Sequence, residues 1–339
     1  MKVFAGTPTH MPMRDVRAHV QRVERMGYDG IKVPETVHNG FLTAMLAAEH
    51  SSRLEVVTSI LLAFPRSPMI TAISAWDVQA MSGGRFCLGL GTQVKGNIEG
   101  RYSTPWVAPV QRMREVIQSL RAIWHAFQNG TDLKYHGEHY NFTRLQPRFN
   151  PGPIEHPDIP LVIGAVGPAM CRLAGAECDG MITHPSNSMP RYLEQFTKPQ
   201  IEEGAKRKGR DLAGFRFYMS NMFATGATAE EVATERERQR YSLGFYFSTP
   251  PYWPTIELLG HGELGPRLRQ MTREGKWGDL GTLISDEILD AIVPAATYDE
   301  IAGVLRAWYG DSAYGLGFPV PENPKHDKAV AKAVERLRG

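Results

Sequence analysis

Apolar residues along this chain fall into two alternating patterns. Eight short segments are dense in aliphatic, β-branched and aromatic residues: 2–7, 31–33, 56–62, 86–90, 159–165, 180–183, 215–224 and 314–319. Such runs have the composition of strands covered on both faces, as in a parallel sheet. Between them the apolar positions recur at spacings of three and four, the period of a helix with one buried face. Val16, Val20, Val23 and Met26 mark such a face, as do Ile70, Ile73, Trp76 and Ala80. The longest stripe is Met113, Val116, Ile117, Leu120, Ile123, Trp124 and Phe127. Residues 41–51, 169–176, 190–208, 228–239, 286–293, 299–309 and 325–337 also read as helices. Residues 57–93 show the repeating unit whole: a strand, a turn broken by Pro65 and Pro68, a helix stopped at Ser82-Gly83-Gly84, and a second strand entering Gly91-Thr92-Gln93. Glycine ends the helix because it tolerates the left-handed conformation.

Eight strand-then-helix steps in one chain of 339 residues predict an α/β fold, a closed (β/α)8 TIM barrel formed as a single domain over 1–339. An open doubly wound sheet is the runner-up, but no G-x-G-x-x-G follows the first strand. Insertions are expected after strands 4 and 7. The segments outside the repeat are about 94–109, 131–150 and 228–281. Residues 135–142 (YHGEHYNF) read as a small hairpin within the second of these. Residues 241–254 (YSLGFYFSTPPYWP) crowd aromatics around prolines. This stretch reads equally as the wall of an apolar pocket for a flat ring and as a satellite core.

Composition narrows the function. The net charge is +2, with 22% charged residues, so no nucleic-acid footprint is visible. No apolar run is long enough for a membrane span, and the first residues do not resemble a signal peptide. The three cysteines, Cys87, Cys171 and Cys178, fit no zinc spacing and suit a reducing cytoplasm. His136 and His139 have a spacing that suits a metal, but no third ligand lies nearby in sequence, so no metal is expected.

In a (β/α)8 barrel the chemistry sits at the C-terminal ends of the strands. There, Gly91-Thr92-Gln93 and Ala165-Val166-Gly167 are small-residue turns whose backbone N–H groups, with the Thr92 hydroxyl, could hold phosphate oxygens. The plain alternative is a tight turn with no ligand. His10, Glu35, His38 and His184 are the ionisable groups near strand ends and the candidates for acid–base work.

Three stretches carry a resemblance. MSGGRFCLGLGTQV (81–94), PLVIGAVGP (160–168) and LAGAECDGMITH (173–184) resemble the luciferase-like family of (β/α)8 barrel oxidoreductases. GFYFSTPPYWP (244–254), LISDEILDAI (283–292) and TYDEIAGVLRAWYG (297–310) are similar to its branch dependent on the deazaflavin coenzyme F420. That resemblance implies a ring resting on a bulge in the third strand, at a non-proline cis peptide between Ser59 and Ile60, with Leu61 following. It implies a phosphate tail at Gly91, Thr92, Gln93, Ala165, Val166 and Gly167. It also implies an acid or histidine near the ring, pointing to Glu35 and His38; with His184, from its strand-end position, these are the candidate proton partners. Gln93 stands where sugar-phosphate dehydrogenase relatives carry Gly followed by a catalytic Glu, so their substrate is not carried over. The expected activity is hydride transfer between F420 and a small organic substrate, by a cytoplasmic homodimer that contacts the partner copy through helices of the first half of the barrel. An FMN-dependent monooxygenase and a non-catalytic ligand-binding barrel are the rivals, since the fold does not separate them.

Overall fold

The computed structural model describes residues 1–339, the side chain of Asp311 excepted. Eight parallel strands form the barrel: β1 (Lys2–Gly6), β2 (Gly30–Val33), β3 (Glu55–Thr58, resuming as Leu61–Leu62), β4 (Phe86–Gly91), β5 (Leu161–Gly164), β6 (Gly180–Ile182), β7 (Arg216–Met219) and β8 (Gly315–Gly317). Each pairs with its neighbours in sequence, β8 returns to β1, and β3 pairs with both β2 and β4, so the sheet closes. The outer layer contains α1 (Val16–Arg25), α2 (Gly40–Glu49), α3 (Pro68–Ser82), α4 (Pro109–Asn129), α5 (Pro168–Glu177), α6 (Lys198–Arg207), α7 (Ile301–Tyr309) and α8 (Asp327–Arg338).

The helix boundaries follow local chemistry. Asn39 and Ser67 cap α2 and α3 by accepting from the backbone N–H groups of Phe41 and Met69. Gly83, at φ 61°, ends α3 in the left-handed conformation. The buried side of α3 is Thr71, Ala72, Ala75, Trp76, Val78 and Gln79, whereas Ile70 and Ile73 are exposed. Trp76 is buried as the periodicity predicts, but Ile70 and Ile73 are not, because small residues such as Ala72 and Ala75 let the helix pack closest to the barrel. Trp76 meets Phe127 of α4 edge-on, with ring centroids 5.7 Å apart, an arrangement worth about 1 kcal/mol beyond area burial.

Two other expectations change. The segment 215–224 is not one strand. The barrel strand ends at Met219, and Ala224–Gly226 pairs with Ala295–Thr297 in a separate two-stranded sheet. The helix expected to stop at 239 runs on as Ala229–Phe247, so the first half of the aromatic run is helical. This region builds its own core, with Leu243, Phe247, Ile256, Leu268, Leu280 and Leu289 fully buried. The hairpin pairs Tyr135–His136 with Asn141–Phe142 as expected. All three cysteines are free and buried. Among the described residues, no helix is long and apolar enough to cross a membrane.

Candidate active site

Side chains alternate along a strand, so residues two apart share the barrel interior. The middle of the barrel is filled by Phe4, Val57, Cys87, Val162, Ile182 and Tyr218. Below them a polar plug closes the N-terminal end. There the Tyr218 and Tyr314 hydroxyls donate to Glu55, which also pairs with Lys2 at 2.7 Å. Above them, toward the C-terminal mouth, glycines stand two residues beyond Phe4 and Val162, at Gly6 and Gly164, and four beyond Cys87, at Gly91, with Gly317 on β8. Ile60 packs over Gly91 and Gly164 and the Lys32 ammonium lies over Gly317, while Gly6 is exposed with nothing within 4 Å of where its Cβ would stand.

The floor of this opening is Ile60, and the peptide Ser59–Ile60 is cis, where the bulge was expected. A Cβ built on Gly91 would lie 2.1 Å from Ile60 Cδ1, and one on Gly164 would lie 3.2 Å from Ile60 Cγ2. Glu35 anchors the floor on both sides. Its backbone N–H donates to the Ile60 carbonyl (3.3 Å), while its carboxylate accepts from Leu62 N (2.9 Å), Gly40 N (3.3 Å) and the Arg66 guanidinium. With four donors on two oxygens, Glu35 has no lone pair to spare for a reacting proton.

The two small-residue turns adjoin the floor. Helix α5 starts after Gly167 with no side-chain cap, and a Cβ on Gly167 would meet nothing. Its first turn thus presents N–H groups and the positive end of the helix dipole. Gln93 takes φ 60° and the Thr92 hydroxyl donates to the Gln93 carbonyl (3.0 Å), so Thr92 could offer an anion only what remains after that local bond.

His184 lies beyond β6. Its Nδ1 accepts from the Ser186 backbone N–H at 3.2 Å, which places the ring proton on Nε2. Tyr252 stacks on the imidazole at 4.2 Å, and Tyr246 meets it edge-on at 4.8 Å. Burial lowers the His184 pKa to about 4, so the ring is a neutral hydrogen-bond donor at neutral pH. The aromatic run builds the satellite core and packs against His184. Phe247 enters the satellite core, and Tyr246 and Tyr252 wall in a histidine. His38 is half-buried in a narrow cleft with Thr7, Pro34 and Thr36, and His10 is exposed.

Sequence reasoning missed Lys32. It occupies the inward register of β2, two residues after Gly30, and its ammonium donates to the Met219 carbonyl at 2.7 Å. Burial pulls its pKa down to about 7. The one signal was a lysine within a run otherwise apolar. Sequence reasoning also found no third ligand near His139, yet α4 brings Glu115 close to Glu138 and His139. The Glu115 carboxylate already accepts from the backbone N–H groups of Glu138, His139 and Tyr140 and from Gln111. It fastens the hairpin. A cavity of about 620 Å³ beside Arg121, Trp124 and Arg216 lies at the N-terminal end of the barrel, away from the strand ends that carry chemistry in this fold.

Comparison with known proteins agrees with this architecture. A family model described as luciferase-like monooxygenase matches residues 2–314. An uncharacterized protein of Mycobacterium tuberculosis is 44% identical over 284 residues, covering 84% of this chain and 83% of the relative. The 5,10-methylenetetrahydromethanopterin reductase of Archaeoglobus fulgidus is 26% identical over 336 residues, with 96% of each chain covered. The solved structure of the coenzyme F420-dependent tetrahydromethanopterin reductase from Methanopyrus kandleri superposes with a TM-score of 0.80 at 20% identity, covering 99% of this chain and 98% of that one.

Proposed function

The chain belongs to the luciferase-like monooxygenase family, and from that premise we propose that it is an oxidoreductase using coenzyme F420 to exchange a hydride with a small organic substrate. The observation that carries this reading is the Ile60 floor, seated on Gly91 and Gly164 at the C-terminal ends of the strands, with the uncapped N-terminus of α5 following β5. The residues fit the cofactor: Ser59, Ile60 and Leu61 would support its ring, and Gly91, Thr92, Gln93, Ala165, Val166 and Gly167 would surround its phosphate. When bound, the deazaflavin would supply a hydride site that reacts poorly with oxygen.

The chain's own groups take separate roles in this reading. Glu35 holds the floor in place through Leu62 and Arg66. His184 donates a hydrogen bond from Nε2 into the space beside Tyr246 and Tyr252, orienting a substrate carbonyl or hydroxyl. His38 sits at the rim. Lys32, whose pKa of about 7 lets it carry or release a proton at neutral pH, is the proton partner favoured by chemistry. Exposed apolar residues on adjacent helices, Leu42 on α2 with Ile70, Ile73 and Met81 on α3, support a homodimer. The cytoplasm, where three buried thiols stay reduced, is the expected compartment.

Titrating the protein separately with F420 and FMN tests the proposal. Saturable F420 binding, with FMN much weaker, is the expected result. Tight FMN binding together with substrate-dependent oxygen uptake would replace this reading with a flavin monooxygenase. Binding of neither would leave a non-catalytic barrel.

A further inference from the structure

The polar plug at the N-terminal end of the barrel holds one cation more than it can pair. Arg216 opens β7 two residues before Tyr218, so its side chain also points into the barrel. The neighbouring strand carries Gly180 there, where a Cβ would lie 2.9 Å from Arg216 Cβ, and the arginine takes that space. Its guanidinium lies over the Tyr314 ring, 5.0 Å from the centre. The carboxylates around it are engaged elsewhere. Glu55 accepts from Lys2, Tyr218 and Tyr314. Asp179 accepts from Leu161 N (2.9 Å) and faces Arg121 at 3.3 Å. The Tyr218 hydroxyl favours the charge on Arg216, but its own proton goes to Glu55. Among the described residues, no carboxylate pairs with Arg216.

This unpaired group adjoins open space. Arg216 is half-buried on the wall of the cavity of about 620 Å³, and its nitrogens are not sealed from solvent as Arg114 Nε is. The volume is that of a small-molecule site. Trp124, Pro157, Ile159 and Pro160 give the cavity an apolar side. Arg121 and Asp179 line it as a pair, and Asp158 is exposed on it, where water and salt screen its charge. One unpaired cation against one screened carboxylate suits a ligand with a single negative charge and disfavours a dianion. A guanidinium presents its N–H groups as a planar fork, which fits a carboxylate through two parallel hydrogen bonds.

We infer that this cavity is a second ligand site, on the face of the barrel opposite the strand ends, and that it takes a small monocarboxylate with a flat apolar body, its carboxylate seated on the Arg216 fork. The site stands apart from the cofactor reading and does not depend on it.

Calorimetry on the full chain with benzoate, its neutral isostere benzamide and inorganic phosphate tests this, with thermal melts on the same samples. Benzoate is expected to bind saturably and to raise the Tm. Benzamide and phosphate should each bind at least tenfold more weakly. Arg216→Met should weaken benzoate at least tenfold, the loss of one charge-assisted contact. Arg216→Lys, which keeps the charge and loses the fork, should weaken it at least threefold, and serves if the methionine form does not fold. Saturating F420 should leave benzoate affinity unchanged. The inference is overturned if benzoate shows no saturable binding, if benzamide or phosphate binds as well, or if the Arg216 variants bind benzoate like the native chain. Displacement of benzoate by F420 would place the probe at the barrel mouth and overturn it too.

Discussion

Replacing Lys32 with methionine should stabilise the protein at mildly acidic pH and lose that advantage in alkali. The side chain is buried within the barrel and its ammonium has one close partner, the Met219 carbonyl at 2.7 Å. Burial lowers its pKa from 10.5 to about 7. Below pH 7 the amine is protonated in both folded and unfolded chains, and the folded chain carries the full cost of desolvating the charge, about 4–5 kcal/mol at 1.36 kcal/mol per pH unit. Between pH 7 and 10.5 the unfolded chain binds the extra proton, so native stability rises with pH through that window. The cost is lifted by about 2.7 kcal/mol between pH 6 and pH 9. Methionine conserves the length and forfeits one hydrogen bond worth about 1 kcal/mol. Lys32→Met should therefore be roughly 3 kcal/mol more stable than the native chain at pH 6, and within about 1 kcal/mol of it at pH 9. Urea midpoints at the two pH values measure this directly. Parallel pH dependences for the two proteins would refute the reasoning, because the amine would then be as well solvated in the folded chain as in the unfolded one.

Glu35→Gln keeps the shape but leaves the half-buried Arg66 without its carboxylate, and should cost about 2 kcal/mol in denaturant unfolding while weakening F420 binding through the displaced floor. Gly91→Ala and Gly164→Ala should differ. The first drives a methyl 2.1 Å from Ile60 Cδ1 and should lose both stability and cofactor binding, whereas the second lies 3.2 Å from Ile60 Cγ2 and should mainly lose binding. Thermal melts beside F420 titrations separate the two outcomes. His184 should show the Nε2–H tautomer and no titration above pH 5 in nitrogen-detected NMR, since burial takes its pKa to about 4. Its unfolded counterpart binds a proton first, so this residue's share of stability is lost as pH falls from about 6.5 toward 4.

The sequence alone determined the barrel. Eight buried runs alternating with helical stripes admit few other closures, because each run must be covered on both faces and each stripe on one. It also placed the Ser59–Ile60 bulge, through a resemblance carried by residues that are neighbours in the chain. What it could not supply were relations across the barrel. Glu35 looks like a free acid until Arg66 and Leu62 N arrive from the next loop, and Lys32 looks like a surface lysine until β7 faces it with a carbonyl. His184 gains its aromatic box from Tyr246 and Tyr252, some sixty residues later. Local pattern records what a residue buries against its own element. Protonation, pairing and access depend on groups brought together only when the sheet closes, and the tertiary structure alone decides those.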